Sequence, residues 1–361
     1  MEKNMTEESR MLKVGILGCG PISQAAHFES AAKAKNVDLY AICDVADDLR
    51  DRMAATYAPS KSYNDYDAML NDADVDAVII ATSDAFHVPA SIAALKAGKH
   101  VLCEKPIGTS VEEVEELRAA VRASDRVLQV GHMKRYDAGL QSARDFIDSE
   151  MGEMLALKAW YCDSTHRYAV TDAVQPLMIK SAKAKKPSGN PKADLAQYYM
   201  LAHGSHLLDT ARYFAGEIVE LEARMRNRFN AFSWFIDVEF ANGVMGHLDL
   251  TVPVRMDWHE GFQIYGENGS IVARTYNPWL FKTSDVDIFS EKTGATSRIL
   301  GADGHFYRRQ LEGFANTILT GAPMSGADID DGVASVRGMV AAMQSVNSGK
   351  SVRLADVEGK V

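Results

Sequence analysis

Residues Lys13-Val14-Gly15-Ile16-Leu17 read as a short β-rich strand that runs into Gly18-Cys19-Gly20-Pro21-Ile22-Ser23 and then a helical stretch over residues 24–34. Strand, glycine turn and helix in that order constrain this chain more than any other stretch of it. Gly18 suits the tight turn and Gly20 permits close approach of a pyrophosphate, while Ser23, in the place of a third glycine, is small enough for helix and strand to pack. The helix N-terminus offers free N–H groups and partial positive charge to phosphate. The next strand, residues 37–43, ends at Asp44, about twenty residues past the turn, where a carboxylate can accept from both ribose hydroxyls of an adenosine. The alternative role for Asp44 is to cap a helix over residues 47–56. Together the two features predict a dinucleotide site on Gly18, Gly20, Pro21, Ile22 and Asp44. Because Asp44 is negative and no arginine follows it directly, NAD is favoured over NADP.

The alternation continues. Ala77-Val78-Ile79-Ile80-Ala81 is the continuous apolar run that a parallel strand buried on both faces needs, and a helix over residues 89–97 follows, capped by Gly98. Residues 100–103 form the next strand, 111–123 a helix and 127–130 a further strand. Strands separated by helices of this length predict a doubly wound parallel sheet. Ligands of such sheets lie at the carboxyl ends of the strands, so Ala81, Thr82, His87, Glu104, Lys105 and His132 are expected on one rim with the glycine turn. Lys105 stands out there, because Pro106 holds it away from helical geometry at the end of a strand.

After Gly131-His132-Met133-Lys134-Arg135-Tyr136 and a helix over residues 138–149 the grammar changes. Strand-like runs follow one another at 155–161, 219–228, 234–240, 244–251, 262–266 and 270–274, with a hairpin signal at Asn242-Gly243. The expectation is an α/β chain of three parts: a frayed tail over residues 1–11, a nucleotide domain over 12–133 and a mostly antiparallel α+β substrate and oligomerisation domain over 134–361. The lysine-rich stretch 164–197, broken by Pro187, Gly189 and Pro191, reads as a solvated surface excursion or as a lid or anion-attracting loop, with the solvated face favoured. Two apolar helical patterns, 307–319 and 333–346, close the chain and read as packing helices.

His203, His206 and Asp209 are spaced to line one helix face. Three readings stand: metal ligands, satisfied structural side chains, or His206 as an acid or base touching substrate, the favoured one because imidazole titrates near neutrality. No H-E-x-x-H or C-x-x-C spacing accompanies them, so no metal is expected. The formal charge of 39 − 49 = −10 would repel nucleic acid and anionic membrane. Residues 1–11 lack an apolar leader, which reads as cytoplasmic, and the four cysteines read as reduced thiols.

The set Gly18-Cys19-Gly20-Pro21-Ile22-Ser23, Cys43-Asp44, Ala81-Thr82 with His87, Cys103-Glu104-Lys105-Pro106 and His206-Leu207-Leu208-Asp209 resembles the glucose–fructose oxidoreductase, inositol dehydrogenase and rhizopine catabolism family over residues 12–354. The resemblance implies a Rossmann domain, a second domain whose open sheet often serves in dimers or tetramers, and hydride transfer between NAD and a sugar or cyclic polyol. It implies that Lys105 binds the reacting hydroxyl, that Lys105-Pro106 is cis, and that His206 shares the catalytic work. Many members carry an aspartate four residues before the histidine; here that place is Ala202, so Lys105 with His206, assisted by His203, Tyr136 or Tyr199, is the expected set, with Asp209 as a further substrate contact. His206 is the favoured base and Lys105 the positioning cation. The family also contains glycoside-cleaving enzymes that retain NAD, and a non-catalytic sensor is the remaining alternative.

Overall fold

The computed structural model describes residues 10–164, 178–188, 190 and 192–361. Most of the expected tail at 1–11 and part of the expected lid at 164–197 lie outside the described residues. Six parallel strands form the first sheet in the order β3-β2-β1-β4-β5-β6: β1 (Leu12–Leu17), β2 (Val37–Cys43), β3 (Lys61–Tyr63), β4 (Ala77–Ile80), β5 (His100–Cys103) and β6 (Leu128–Val130). Every residue of β4 is buried, as its unbroken apolar run requires. Crossover helices α1 (Phe28–Lys33), α2 (Asp47–Tyr57), α3 (Tyr66–Leu70), α4 (His87–Lys96) and α5 (Val111–Arg122) separate the strands. The strand order reverses at β1/β4, which brings the glycine turn beside the end of β4.

Helix α6 (Ala138–Ser149) leads into a nine-stranded sheet of order β14-β13-β12-β11-β7-β10-β9-β8-β15. Its strands are β7 (Met154–Ser164), β8 (Ile218–Arg228), β9 (Ala231–Phe240), β10 (Met245–Val254), β11 (His259–Gly266), β12 (Gly269–Thr275), β13 (Asp285–Ser290), β14 (Ala295–Ser297) and β15 (Val352–Arg353). All neighbours pair antiparallel except β7 with β10. Alternation along β9 turns Trp234, Ile236, Val238 and Phe240 inward and leaves Phe235 and Asp237 outside. Between the two sheets run α7 (Leu195–Tyr199) and α8 (Ser205–Ala215), joined by a single wide π turn at Met200–Gly204.

The chain end touches both domains. In α9 (Phe306–Thr320), Leu311, Phe314 and Ala315 belong to the same buried cluster as Leu12, Val14, Ile16 and Leu39 of the first sheet. Helix α10 (Ile329–Ser348) lies against α5 and β8 at once, the Val130 amide donates to the Ala327 carbonyl at 2.8 Å, and the Val361 amide to the Thr109 carbonyl at 3.1 Å. Helix α9 therefore packs on the first sheet, while α10 and the chain end, with β15 on the edge of the second sheet, bridge the two domains. Among the described residues no helix is long and apolar enough to cross a membrane.

Candidate active site

The glycine turn is built for close approach. Gly18 has φ +96°, and a side chain there would meet the Ala81 carbonyl oxygen at 2.8 Å; Gly20 faces space with nothing within 4 Å. Ser23 Oγ donates back to the Gly18 carbonyl at 2.5 Å, closing the turn. The Asp44 carboxylate accepts from the Cys19 amide at 2.7 Å and the Ala46 amide at 2.8 Å, tying β2 to the turn, and its remaining lone pairs can still receive hydroxyls. The cap position of α2 is Ala46, so Asp44 does not serve as that helix's N-cap. Thr82 Oγ1 is buried at the end of β4 with no partner among the described residues. An open glycine, an orphaned hydroxyl and a helix N-terminus converging on one switch point fit a dinucleotide.

Lys105 leaves β5 through a cis bond to Pro106. Its Nζ crosses to the second domain and donates to the Ala202 carbonyl at 2.9 Å. Burial pushes its pKa below the usual lysine range, while the charges of Glu104 and Asp84 pull the other way. Behind it Glu104 is fully engaged: His27 Nε2 donates to one oxygen at 2.9 Å and the Lys105 amide to the other at 3.1 Å. Burial opposes the charge of Glu104, but the His27 hydrogen bond and the positive neighbours outweigh it, so the carboxyl sits below its usual range. His27 comes from a second π turn, Ser23–His27, inserted between the glycine turn and α1. Such turns recur at functional sites.

The opposite wall comes from α8 and β7. His206 is buried and its ring stacks on Tyr161, centroids 5.9 Å apart and planes 5° off parallel. Burial first, then the positive charges of Lys105 and Lys134, hold its pKa well below the ordinary imidazole range. Lys134 pairs with buried Glu260, which also accepts from Trp258 Nε1 at 3.2 Å, and lies 4.6 Å over the Tyr161 ring. His203 Nδ1 meets the Tyr161 hydroxyl at 3.2 Å, and its Nε2 is 3.7 Å from Asp163. Lys105, Tyr161, Asp163, His203, His206 and Trp258 line a cleft of about 300 Å³ that also touches Ile22, Thr82, Asp84, His87, Trp279 and Tyr307, with Lys134 and Glu260 behind the wall. Its chemistry is that of an imidazole whose protonation is disfavoured, beside a half-buried lysine.

Of the expected residues, the cleft gathers Ile22, Thr82, His87, Glu104, Lys105, His203 and His206, with Gly18, Gly20, Pro21, Asp44 and Ala81 following along the strand ends. The two His87 ring nitrogens face the Pro106 and Thr82 carbonyls at 2.7 and 3.2 Å, so the side chain fastens two turns together. Four expected residues have other duties. Tyr136 turns its hydroxyl to Gln129 at 3.0 Å, away from the cleft. Asp209 is held by Arg135, 2.8 Å away, because a buried guanidinium needs a carboxylate; Arg135 also reaches Asp331 at 2.8 Å. His132 is buried 3.6 Å from Asp209. Tyr199 stacks behind His203, centroids 5.9 Å apart. Sequence reading missed Lys134, Glu260, Tyr161 and Asp163. Only the last two carried a signal, since alternation along β7 puts both on one face.

Two family models match: "Oxidoreductase family, NAD-binding Rossmann fold" over residues 12–132 and "GFO/IDH/MocA C-terminal domain" over residues 141–272. The chain belongs to the GFO/IDH/MocA oxidoreductase family. It is 32% identical over 173 residues to inositol 2-dehydrogenase of Salmonella typhimurium, a match spanning 46% of this chain and about half (52%) of that relative's length. It is 24% identical over 362 residues to myo-inositol 2-dehydrogenase of Thermotoga maritima, covering 96% of this chain and 100% of that one. Among solved structures, apo scyllo-inositol dehydrogenase from Lactobacillus casei superposes with a TM-score of 0.75 at 21% identity, covering 96% and 99% of the two chains, which shows a shared fold.

The ion-pair assignment of Asp209 is testable. Asp209→Ala leaves the Arg135 guanidinium under-compensated in the interior and is expected to cost about 3–5 kcal/mol in urea unfolding. A variant as stable as the wild type but with a raised KM would return Asp209 to the substrate.

Proposed function

We propose that this protein is an NAD-dependent dehydrogenase that oxidises a secondary alcohol of an inositol-like cyclic polyol or a sugar. The observation that carries the reading is that half-buried Lys105 and buried His206 line one cleft with Ile22 of the glycine turn. When bound, the nicotinamide supplies the hydride acceptor. Lys105 hydrogen-bonds the substrate hydroxyl and holds it in place. His206, kept neutral first by burial and then by its cationic surroundings, has a lone pair for the hydroxyl proton. His203 and Asp163 offer hydrogen bonds to further hydroxyls, and Trp258 and Trp279 offer flat apolar walls to a ring. Asp44 disfavours a 2′-phosphate and so supports NAD over NADP. The family relatives named inositol dehydrogenase support the substrate class. The four unpaired thiols, three of them buried, suit a reducing cytoplasm.

NADH formation, followed by absorbance over a panel of inositols and sugars, is expected with at least one cyclic polyol. Lys105→Ala removes turnover while NADH binding persists, and His206→Ala lowers kcat by about 10²–10⁴-fold. The depressed pKa of His206 keeps it deprotonated through pH 6.5, so kcat/KM stays level there and falls only at lower pH; the lowered Lys105 pKa brings the alkaline limb in below 10.5. No turnover over the whole panel, or full activity in Lys105→Ala, contradicts the proposal.

The protein is further proposed to work as a homodimer or homotetramer through the outer face of its nine-stranded sheet. Leu155, Phe235, Met245, Val272 and Phe289 stand exposed there on five strands, and exposed apolar side chains gathered on one sheet face suit an interface. Sedimentation of the wild type as an oligomer, and of Phe235→Lys with Met245→Glu as a folded monomer, is the expected result; a monomeric wild type contradicts it.

A further inference from the structure

Residues 178–186 belong to the stretch 164–197, for which a solvated face was favoured; their lysines are exposed, and the segment is fastened to the first domain as well. Gln24 grips the backbone of Ile179 at both ends of its amide: Nε2 donates to the Ile179 carbonyl at 3.0 Å and Oε1 accepts from the Ile179 amide at 2.9 Å. The same Nε2 donates to the Cys19 carbonyl at 2.9 Å, inside the glycine turn. Ser181 Oγ donates to Asp48 at 2.7 Å, and Lys183 Nζ reaches Asp47 at 2.6 Å. Lys185 Nζ lies 4.9 Å over the ring of Phe86. Ile179 and Ala184 add apolar contact with the cluster beneath α1 and α2.

These contacts reach three places: the turn after β1, the start of α2 just past Asp44, and the turn after β4. The same three turns bracket the seat of an adenosine and its pyrophosphate in a sheet of this order. A strand of chain fastened to all three therefore crosses the mouth of that seat. The charge fits as well. The start of α2 is acidic, with Asp44, Asp47, Asp48 and Asp51 together, and would repel a pyrophosphate; the lysines of the crossing segment offset that field.

We propose that residues 178–186, supplied by the second domain's long loop, are part of the cofactor site and act as a clamp over the adenosine half of the bound dinucleotide. Gln24 is the fixed hinge point, since its amide ties the segment to the glycine turn. Ser181 and Lys183 form the releasable latch, exposed and dependent on charge. Cofactor exchange then requires the latch to open, so dissociation is slow relative to an open Rossmann cleft and quickens with salt.

The inference rests on the proposed use of NAD, and stopped-flow NADH fluorescence separates the two. In Ser181→Ala with Lys183→Ala, NADH dissociation is expected to rise by about three- to ten-fold with association nearly unchanged, a modest effect in keeping with an exposed ion pair. Raised salt should speed dissociation from the wild type and have little further effect on the variant. The charge-exchanged pair Lys183→Asp with Asp47→Lys should bring the rate back toward that of the wild type. Tryptic cleavage after Lys183 and Lys185 should slow when NADH is added to the wild type. NADH bound with unchanged rates in the variant and cleavage indifferent to NADH overturn the clamp alone. Faster association with unchanged dissociation also overturns it, because the segment would then be a plug. Wild-type protein that binds no NADH overturns the cofactor reading and the clamp with it.

Discussion

A half-buried lysine reaches across the cleft between the two halves of this molecule. Lys105 belongs to the first sheet, yet its ammonium rests on the Ala202 carbonyl of the second domain, 2.9 Å away. An ammonium taken out of water loses several kcal/mol of solvation unless charge and hydrogen bonds compensate. The compensation here comes from Ala202, Glu104 and Asp84, and each of these is itself fixed. Glu104 is held by His27, His27 by the π turn that follows the glycine turn, and Ala202 by the second π turn. The position of the lysine is thus set from both sides of the cleft. Its charge in turn acts on His206, whose pKa is lowered first by burial and then by Lys105 and Lys134.

The division of labour between the two side chains follows from their surroundings. Lys105 has carboxylates among its neighbours, which favour its proton; the charges acting on His206 are cationic, which disfavour one. An aspartate where Ala202 stands would have altered both balances. In its absence a backbone carbonyl receives the ammonium and Asp163 approaches from β7, nearer to His203 than to a place between lysine and histidine. Around this centre buried Arg135, Asp209 and Arg212, with half-buried Asp331, tie the end of β6 to α8 and α10.

Much of the architecture was legible because its causes are local. Glycine turns, Asp44 at a strand end and the change from alternating strands and helices to consecutive strands all follow from backbone sterics and periodicity. Lys105, Glu104, His203 and His206 were legible for the same reason, lying at predictable strand and helix ends. The misreadings concern partners distant in sequence. Tyr136 and Asp209 looked like site residues until Gln129 and Arg135 claimed them. Lys134 and Glu260, 126 positions apart, show no pattern that links them. The packing of α9 on the first sheet is likewise a matter of which apolar faces meet, and a helical period names a face without naming its partner. The lysine-rich stretch is exposed, as read, but its acidic partners lie more than 130 residues earlier, so its attachments left no local signal.

The central claim is that at neutral pH the His206 imidazole beside Lys105 is uncharged. Nitrogen NMR of the protein labelled with ¹⁵N-histidine, assigned by comparison with His206→Gln, reads the protonation of that ring directly as pH is lowered. The account predicts a neutral His206 imidazole at pH 7 that remains neutral through pH 6.5, its protonation beginning only at lower pH. An imidazolium signal for His206 at pH 7 would contradict it and would move the base to Lys105.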